Sequence, residues 1–336
     1  LCAKWLPSGN ASSERTKKQA HELAERLSLT RKQYRQMLSA LRKYLNVLEV
    51  KMSDRRWTEI DYAAVPSRAN LVYNKAFLRN DEERRRAFLG AVKKGETTIH
   101  AGVLFPHDIV HSYMKDGECT WTKVLAPADD TLEELWKSLP DYVQGAGNTL
   151  CIADGSGSMT STVGNTQVTC LDVANALAIY FSEHCTGQFR NTYITFSQTP
   201  QFVDLSKGRS LHDKIEIALH HNEVANTNIE AVFDLILRTA VQCHMPQSEL
   251  PENLLILSDM EFDVATRSYV NGKSVSPDEK LFDTFSRKYA AHGYHLPRLV
   301  FWNICSRTNT IPVRENALGV ALVSGFSPVI AKMVLS

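Results

Sequence analysis

Past residue 147 the chain alternates between short apolar runs and amphipathic segments, and this alternation restricts the fold more than any other feature of the sequence. Apolar runs occur near 148–153, 191–197, 253–258, 298–304 and 318–323. Segments with helical periodicity fill the gaps, near 168–184, 209–220, 227–242, 278–292 and 327–335. Short apolar runs alternating with helices are typical of strands buried on both faces of a parallel sheet. The pattern predicts a doubly wound, Rossmann-like α/β domain over residues 146–336.

Residues 1–145 show helical periodicity instead. Four signals mark helix starts, at Ser12–Ser13, Thr30, Pro66 and Asp81, and shorter helices are expected after Pro106 and Thr131. The second helix places its apolar residues on one stripe, namely Tyr34, Met37, Leu38, Leu41, Leu45 and Leu48. Helices of this length predict pairs stacked into part of a solenoid, although no clean sequence repeat is present. The fold class is therefore a helical-repeat region followed by an α/β domain.

Composition limits the cellular setting. Of the 336 residues 43% are hydrophobic and 22% charged, which is ordinary for a globular protein, and no apolar run is long enough to span a bilayer. The N-terminus lacks both a signal-peptide pattern and an initiator Met, which suggests a fragment. The seven cysteines are scattered and never spaced as Cys-x-x-Cys. They indicate reduced thiols of a cytoplasmic protein.

The charge is unevenly distributed. The formal net charge is only +1, yet the first hundred residues hold 21 Lys and Arg against 11 Asp and Glu. A basic surface of this kind attracts the phosphates of nucleic acids. The candidate contacts are the clustered cations Arg84, Arg85, Arg86, Lys93 and Lys94. Solvated helix faces without a binding role are the alternative interpretation.

Asp154-Gly-Ser-Gly-Ser158 follows the apolar run that ends at Ala153, so a carboxylate and two hydroxyls emerge at the end of a predicted strand. Mg²⁺ takes about six oxygen ligands in an octahedron and usually keeps some water among them. Two further segments can reach the same edge of the sheet. Thr227 opens a predicted helix, and Asp259 follows the run Leu254–Leu257. The five residues Asp154, Ser156, Ser158, Thr227 and Asp259 predict a Mg²⁺ or Mn²⁺ site with an open coordination position.

Other chemistries fit this loop less well. It lacks the ligand pattern of an EF-hand, the glycines of a nucleophile elbow and the Gly-Lys-Ser/Thr of a phosphate loop. A haloacid-dehalogenase-like phosphotransferase would also have an Asp after the first strand, with Asp259 and Asp263 as later acids. Such enzymes need a general acid two residues after the nucleophile, where this chain has Ser156. His107 and His111 are spaced like zinc ligands, but no third ligand is evident.

The Asp-x-Ser-x-Ser loop, the later Thr and the Asp after a strand resemble the metal-ion-dependent adhesion site of a von Willebrand factor type A domain. Four other segments resemble an uncharacterised family that joins a TROVE-like helical region to such a domain, as in the Ro ribonucleoprotein autoantigen. They are residues 49–62, 258–263, 300–303 and 323–327. The resemblance covers the whole chain, with residues 1–145 as a partial TROVE-like region and 146–336 as the type A domain.

This resemblance implies binding without catalysis. Asp154, Ser156 and Ser158 become the primary metal ligands, and Thr227 and Asp259 coordinate directly or through water. In Ro proteins the helical repeats bind small structured RNAs, which implies an RNA partner and a ribonucleoprotein scaffold. In type A domains a carboxylate from a partner protein commonly takes the open metal position, so a protein-interaction module is the alternative. The sequence favours no enzymatic activity and no membrane partner, and leaves the oligomeric state open.

Overall fold

The structure is a computed structural model. It describes residues 2–116, 123–143, 148–222, 228–259, 269–270, 273–274, 278–305, 320–330 and 335. The chain divides into two compact units, Leu1–His100 and Ala101–Ser336, called here the helical unit and the sheet unit. None of the helices in the described ranges has the length and apolar character required to cross a membrane.

The helical unit contains six α-helices in the described residues. They are α1 (Cys2–Trp5), α2 (Glu14–Arg26), α3 (Arg31–Tyr44), α4 (Leu48–Ser53), α5 (Ser67–Asn80) and α6 (Glu82–Lys93). The predicted starts at Ser13 and Thr30 are confirmed, because both side chains accept a hydrogen bond from the first turn of the following helix. Thr30 and Gln33 form a reciprocal capping box. The predicted helices after Pro66 and Asp81 are confirmed as well.

A buried arginine lies in the second half of the helical unit. Arg85 has no solvent-exposed surface, and its guanidinium lies 5.1 Å from the ring centroid of Tyr62 and 5.2 Å from that of Phe77. Its Nη1 donates to Asn70 Oδ1 at 3.1 Å. Aromatic faces attract a cation through their quadrupole, and the stem of an arginine fills apolar space. Arg85 is therefore part of the core that also contains Ile60.

The sheet unit begins with a helical layer. Helices α7 (Pro106–Tyr113) and α8 (Asp130–Lys137) flank a short hairpin of β1 (Met114–Asp116) and β2 (Lys123–Leu125). The remaining helices are α9 (Cys170–His184), α10 (Leu211–His220), α11 (Ile229–Gln242) and α12 (Asp278–Ala291). Helix α9 packs against both α7 and β3 and is buried along almost its whole length. A helix covered on two sides is hydrophobic around its circumference, as α9 is.

Six strands form the central sheet, namely β3 (Thr149–Asp154), β4 (Thr192–Phe196), β5 (Phe202–Asp204), β6 (Asn253–Ser258), β9 (Arg298–Asn303) and β10 (Val320–Ser324). Their spatial order is β10-β9-β6-β3-β4-β5. All neighbours are parallel except β4 and β5. A separate two-stranded hairpin joins β7 (Tyr269–Val270) and β8 (Lys273–Ser274).

The sheet is covered on both faces. Helices α11 and α12 pack on one face through Phe233 and Phe285, whose rings stack at 4.4 Å. Ile152 belongs to this core and is in register with Ile194 and Ile256 on the neighbouring strands. The predicted α plus α/β class and the five predicted strands are confirmed. The antiparallel edge strand β5 was not predicted, and most of the predicted helix at 327–335 lies outside the described residues.

Replacing Arg85 by alanine should destabilise the helical unit by about 2–4 kcal/mol, because the change removes a buried side chain and its contacts with aromatic rings. Arg86→Ala is the matched control. Arg86 is exposed and pairs with the exposed Glu82, so its loss should cost less than about 0.5 kcal/mol. Urea unfolding followed by tryptophan fluorescence measures both variants. Equal effects would contradict the assignment of Arg85 to the core.

Candidate metal centre

Two buried carboxylates occupy the carboxyl ends of adjacent parallel strands. Asp154 is the last residue of β3 and is 3% exposed, and Asp259 follows the last residue of β6 and is 1% exposed. Ser258 is the last residue of β6, and its Oγ donates to Asp154 Oδ2 at 2.6 Å. The chain runs from β3 to β4 on one side, whereas β6 lies on the other side of β3. This is the switch in strand order where doubly wound sheets bind ligands.

The loop after β3 folds back on the Asp154 carboxylate. The backbone N–H of Ser156 donates to Asp154 Oδ1 at 2.9 Å, which forms an Asx turn. A short 3-10 helix, Gly157–Thr160, follows, and its fully buried Met159 anchors the loop. As a result the Oγ atoms of Ser156 and Ser158 lie 3.1 Å apart. The structure thus places two hydroxyls and one carboxylate of the predicted set in a single loop.

Burial makes the ionised Asp154 carboxylate costly in free energy when no counter-charge is nearby. The pKa of Asp154 is raised, first because burial removes water from its charged form. Hydrogen bonds from Ser258 and Ser156 oppose that effect, and the nearby charge of Asp259 adds to it. Two adjacent buried negative charges favour a cation between them.

A row of polar side chains extends from Asp154 across the sheet. Ser258 is in register with Asn303 on β9, which is in turn in register with Ser324 on β10. Because register partners lie on the same face of a sheet, the polar row continues over four strands. Asn303 Oδ1 is buried and has no hydrogen-bond partner among the residues that the structure describes. The strands β3, β6, β9 and β10 therefore all end in polar residues at this edge.

On the other side of Asp154 lies Ser197, which directly follows β4. Ser197 is 3% exposed, and within the described part of the chain its Oγ has no hydrogen-bond partner. Its carbonyl oxygen accepts the N–H of Asn228 at 3.3 Å, so the start of α11 is fixed to the end of β4. Thr227, the residue before Asn228, lies outside the described residues.

Sequence reasoning missed Ser258 and Ser197 as members of this edge. Ser258 ends one apolar run and Ser197 ends another. This position at the end of a predicted strand is the sequence signal that could have found them. Which strand lies next to which decides whether such residues meet. That information comes from the sheet register and not from the periodicity of each segment.

The histidine pair on α7 has other partners. His111 Nδ1 lies 2.7 Å from Oδ2 of the fully buried Asp172, which also caps α9. The His107 ring packs between the rings of Phe105 and Phe326. Over the ranges that the structure covers, no three His, Cys, Asp or Glu side chains are grouped to hold a metal. The contacts of His107 and His111 are therefore explained by packing and by the bond to Asp172.

The predicted nucleic-acid contacts fall into three groups. Arg85 is buried, so it does not present its charge to a phosphate, which corrects its prediction as a surface contact. Arg84 donates to the carbonyl oxygens of Trp57 and Ile60 and to Asp81 Oδ2, and Arg86 pairs with Glu82. Both are exposed but already hydrogen-bonded. Lys93 and Lys94 are exposed at the end of α6 and stay candidate contacts.

The fold is that of a doubly wound α/β unit, with an acidic, hydroxyl-rich edge at its topological switch point, preceded in the chain by a helical unit. The chain belongs to the family described as "Domain of unknown function (DUF7788)", which matches residues 148–336. Residues 1–149 match a second family, described as "Domain of unknown function (DUF2828)".

The chain is similar to a viral protein in sequence and to a bacterial protein in structure. The chain is 28% identical over 354 residues to Uncharacterized protein L728 of Acanthamoeba polyphaga mimivirus. The alignment covers all of this chain and 58% of that relative, so the chain spans little more than half its length. The crystal structure of the Deinococcus radiodurans Ro (RSR) protein is similar over 98% of this chain and 73% of that one, at 14% identity and a TM-score of 0.45. A likeness at this level does not define a function.

Asp154→Asn should remove any stabilisation by Mg²⁺ while leaving the metal-free protein as stable as the wild type or more so. A raised pKa means that ionised Asp154 costs folding free energy, a cost that grows as the pH rises from the ordinary Asp range through the raised pKa. The neutral amide avoids that cost at pH 7. Mg²⁺ at about a hundred times its Kd should raise the wild-type Tm by about 5–10 °C.

Differential scanning fluorimetry in EDTA and in MgCl₂ measures this effect. Glu216→Gln is the control, because Glu216 is an exposed carboxylate on α10 that does not belong to the proposed ligand set. The control should keep the full Mg²⁺ shift. The same Mg²⁺ shift in Asp154→Asn as in the wild type would exclude Asp154 as a ligand.

Proposed function

We propose that this protein is a non-enzymatic binding and scaffold protein that has a divalent-cation site in its sheet unit and binds RNA through its basic helical unit. The observation that carries the metal part is the pair of buried carboxylates at the strand switch, with two hydroxyls in the same loop. The proposed ligands of Mg²⁺, or of Mn²⁺, are Asp154, Ser156, Ser158, Thr227 and Asp259.

The chemistry of these residues fits a hard cation. All five offer oxygen, and Mg²⁺ prefers oxygen ligands and retains some water. Two carboxylates balance the charge of a divalent ion, and the neutral hydroxyls leave it electrophilic towards a further oxygen. Support for including Thr227 comes from its covalent neighbour Asn228, which is hydrogen-bonded to Ser197 at the end of the strand beside β3.

A von Willebrand factor type A domain is the proposed class of the sheet unit. The supporting observation is that the Asp-x-Ser-x-Ser loop lies at the switch point of a doubly wound sheet, as the resemblance to that class implies. Bound metal would supply an electrophilic position for a ligand oxygen. The residues of this chain would hold the ion and, through Ser258, keep the Asp154 carboxylate oriented.

Several observations favour binding over phosphotransfer. Residue 156, where a phosphotransferase needs a general acid, is Ser, and its Oγ lies beside a second hydroxyl, that of Ser158. A hydroxyl does not exchange protons near neutral pH as a carboxylic acid does. Asp263, the later acid of that hypothesis, lies outside the described residues.

We expect no hydrolysis of p-nitrophenyl phosphate by the wild-type protein, with or without Mg²⁺.

RNA is the proposed partner of the helical unit. The excess of 21 Lys and Arg over 11 Asp and Glu falls within the boundaries of that unit. Such a field attracts a polyanion from a distance and gives binding that weakens steeply with salt.

The second candidate function is capture of a protein carboxylate by the metal, which the proposed open coordination position favours.

Binding to a fluorescein-labelled hairpin RNA should separate these functions. With about four phosphate contacts the affinity should fall about 100-fold between 50 and 200 mM NaCl. EDTA and Asp154→Ala should change RNA affinity less than about threefold, because the cations that bind phosphate lie in the helical unit. Absence of RNA binding at 50 mM NaCl would contradict the RNA part. Loss of a co-purifying protein partner in EDTA, with no RNA bound, would favour the second candidate.

A further inference from the structure

A groove of about 460 Å³ opens in the helical unit between the N-terminal segment, α3 and α4. Its polar lining includes two arginines, Arg35 and Arg42, together with Asn10, Gln36, Ser39 and Ser53. All of the lining residues are described by the structure, and none is acidic. A concave surface with guanidinium, amide and hydroxyl donors and no carboxylate has the chemistry of an anion site. This surface is called here the α3 groove.

Arg42 is held in place before any ligand arrives. Its Nε donates to the Ala3 carbonyl oxygen at 3.2 Å, its Nη2 to the Leu6 carbonyl oxygen at 2.7 Å, and its Nη1 to Ser8 Oγ at 2.7 Å. All three partners are neutral, so the positive charge of Arg42 is not cancelled by a carboxylate. Arg35 lies two helical turns earlier and is exposed. Because residues seven apart lie on one side of a helix, Arg35 and Arg42 flank Ser39, with their backbones about 10 Å apart along the helix axis.

The surroundings of the α3 groove leave this charge unbalanced. Helix α3 contains five cations, namely Arg31, Lys32, Arg35, Arg42 and Lys43, and no acidic residue. The acids on or next to α4 are engaged elsewhere. Glu49 contacts Lys4 at 3.6 Å and accepts from Tyr73, and Asp54 pairs with Arg56 at 3.2 Å. By contrast, three of the five cations predicted from the sequence are less available, because Arg85 is buried and Arg84 and Arg86 are paired with acids.

We infer that the α3 groove binds a phosphate group of the RNA backbone, an inference that rests on the RNA function proposed above. An isolated phosphate would use the same donors. The RNA backbone is favoured because Arg31, Lys32 and Lys43 are exposed on the same helix beyond the groove. A chain of phosphates can contact these cations as well, whereas a free anion cannot.

The test adds one negative charge inside the groove or beside it. Ser39→Glu places a carboxylate four residues from Arg35 and three from Arg42, where it pairs with both and blocks the phosphate. Ala40→Glu adds the same charge to the same helix at an exposed residue that does not line the groove. Both changes suit an exposed helix position, so both variants should fold, which circular dichroism checks. Arg35→Gln, which removes one groove cation, completes the set.

Fluorescence anisotropy of the full chain with the labelled hairpin RNA gives the readout. Ser39→Glu should weaken binding at least tenfold, and Ala40→Glu less than about threefold. Arg35→Gln should lower the slope of log affinity against log salt by about 0.7–0.9, the value for one lost phosphate contact. Polyglutamate should compete poorly, because a flexible acidic peptide lacks the regular spacing of phosphates.

The outcomes separate this inference from the function on which it rests. If the wild type binds RNA and all three variants weaken that binding equally, the α3 groove is excluded as the phosphate site. The RNA function would then remain intact. Pyrophosphate binding that Ser39→Glu abolishes, without RNA binding, would support a phosphate site and overturn the RNA function. Binding of neither RNA nor pyrophosphate would overturn both. If polyglutamate displaces the labelled RNA as strongly as unlabelled RNA does, the groove does not select phosphate. Its ligand would then be an acidic protein.

Discussion

The hydrogen bond from Ser258 to Asp154, between the ends of β6 and β3, is the interaction on which the proposed metal centre depends. It holds a buried carboxylate at the strand switch at a distance of 2.6 Å. A bond of this length to a charged acceptor is strong and offsets part of the cost of burying the charge. The same carboxylate accepts the Ser156 N–H, so it also fixes the start of the hydroxyl loop. Two strands and one loop are thereby organised around a single side chain.

Much of the architecture was predictable because helices and strands leave different periods in a sequence. The capping residues Ser13 and Thr30 gave helix starts that the structure confirms. Strand β5 was missed because three residues, Phe202–Asp204, are too few to show a period. Asp81 begins α6 as predicted, yet its side chain accepts from Tyr62 and Arg84 and does not cap the helix. Local patterns thus predict where elements begin more reliably than which partners each side chain takes.

The candidate site shows the same division. Asp154, Ser156, Ser158 and Asp259 were predicted from position after a strand, whereas Ser258 needed knowledge of the register between β3 and β6. Arg85 was grouped with its neighbours because a triple arginine suggests a solvated surface. A signal against that grouping was present, since Arg85 lies four residues before the buried Leu89 and so falls on the same helix face. Helical spacing would have separated Arg85 from the exposed Arg84 and Arg86.

The opposite charges of the two units bear on which ligand each can attract. The helical unit has ten more basic than acidic residues, whereas residues 101–336 hold 17 Lys and Arg against 26 Asp and Glu. A polyanion is drawn to the first unit and repelled by the second, and this long-range effect acts before any contact forms. A divalent cation is drawn to the second. A protein that offers a carboxylate to that cation would then need a basic surface around its acid, because the field of the sheet unit opposes an acidic one. The charge distribution therefore favours the proposed RNA partner on the helical unit. For a protein partner, it favours a basic surface with one exposed carboxylate at the proposed metal centre.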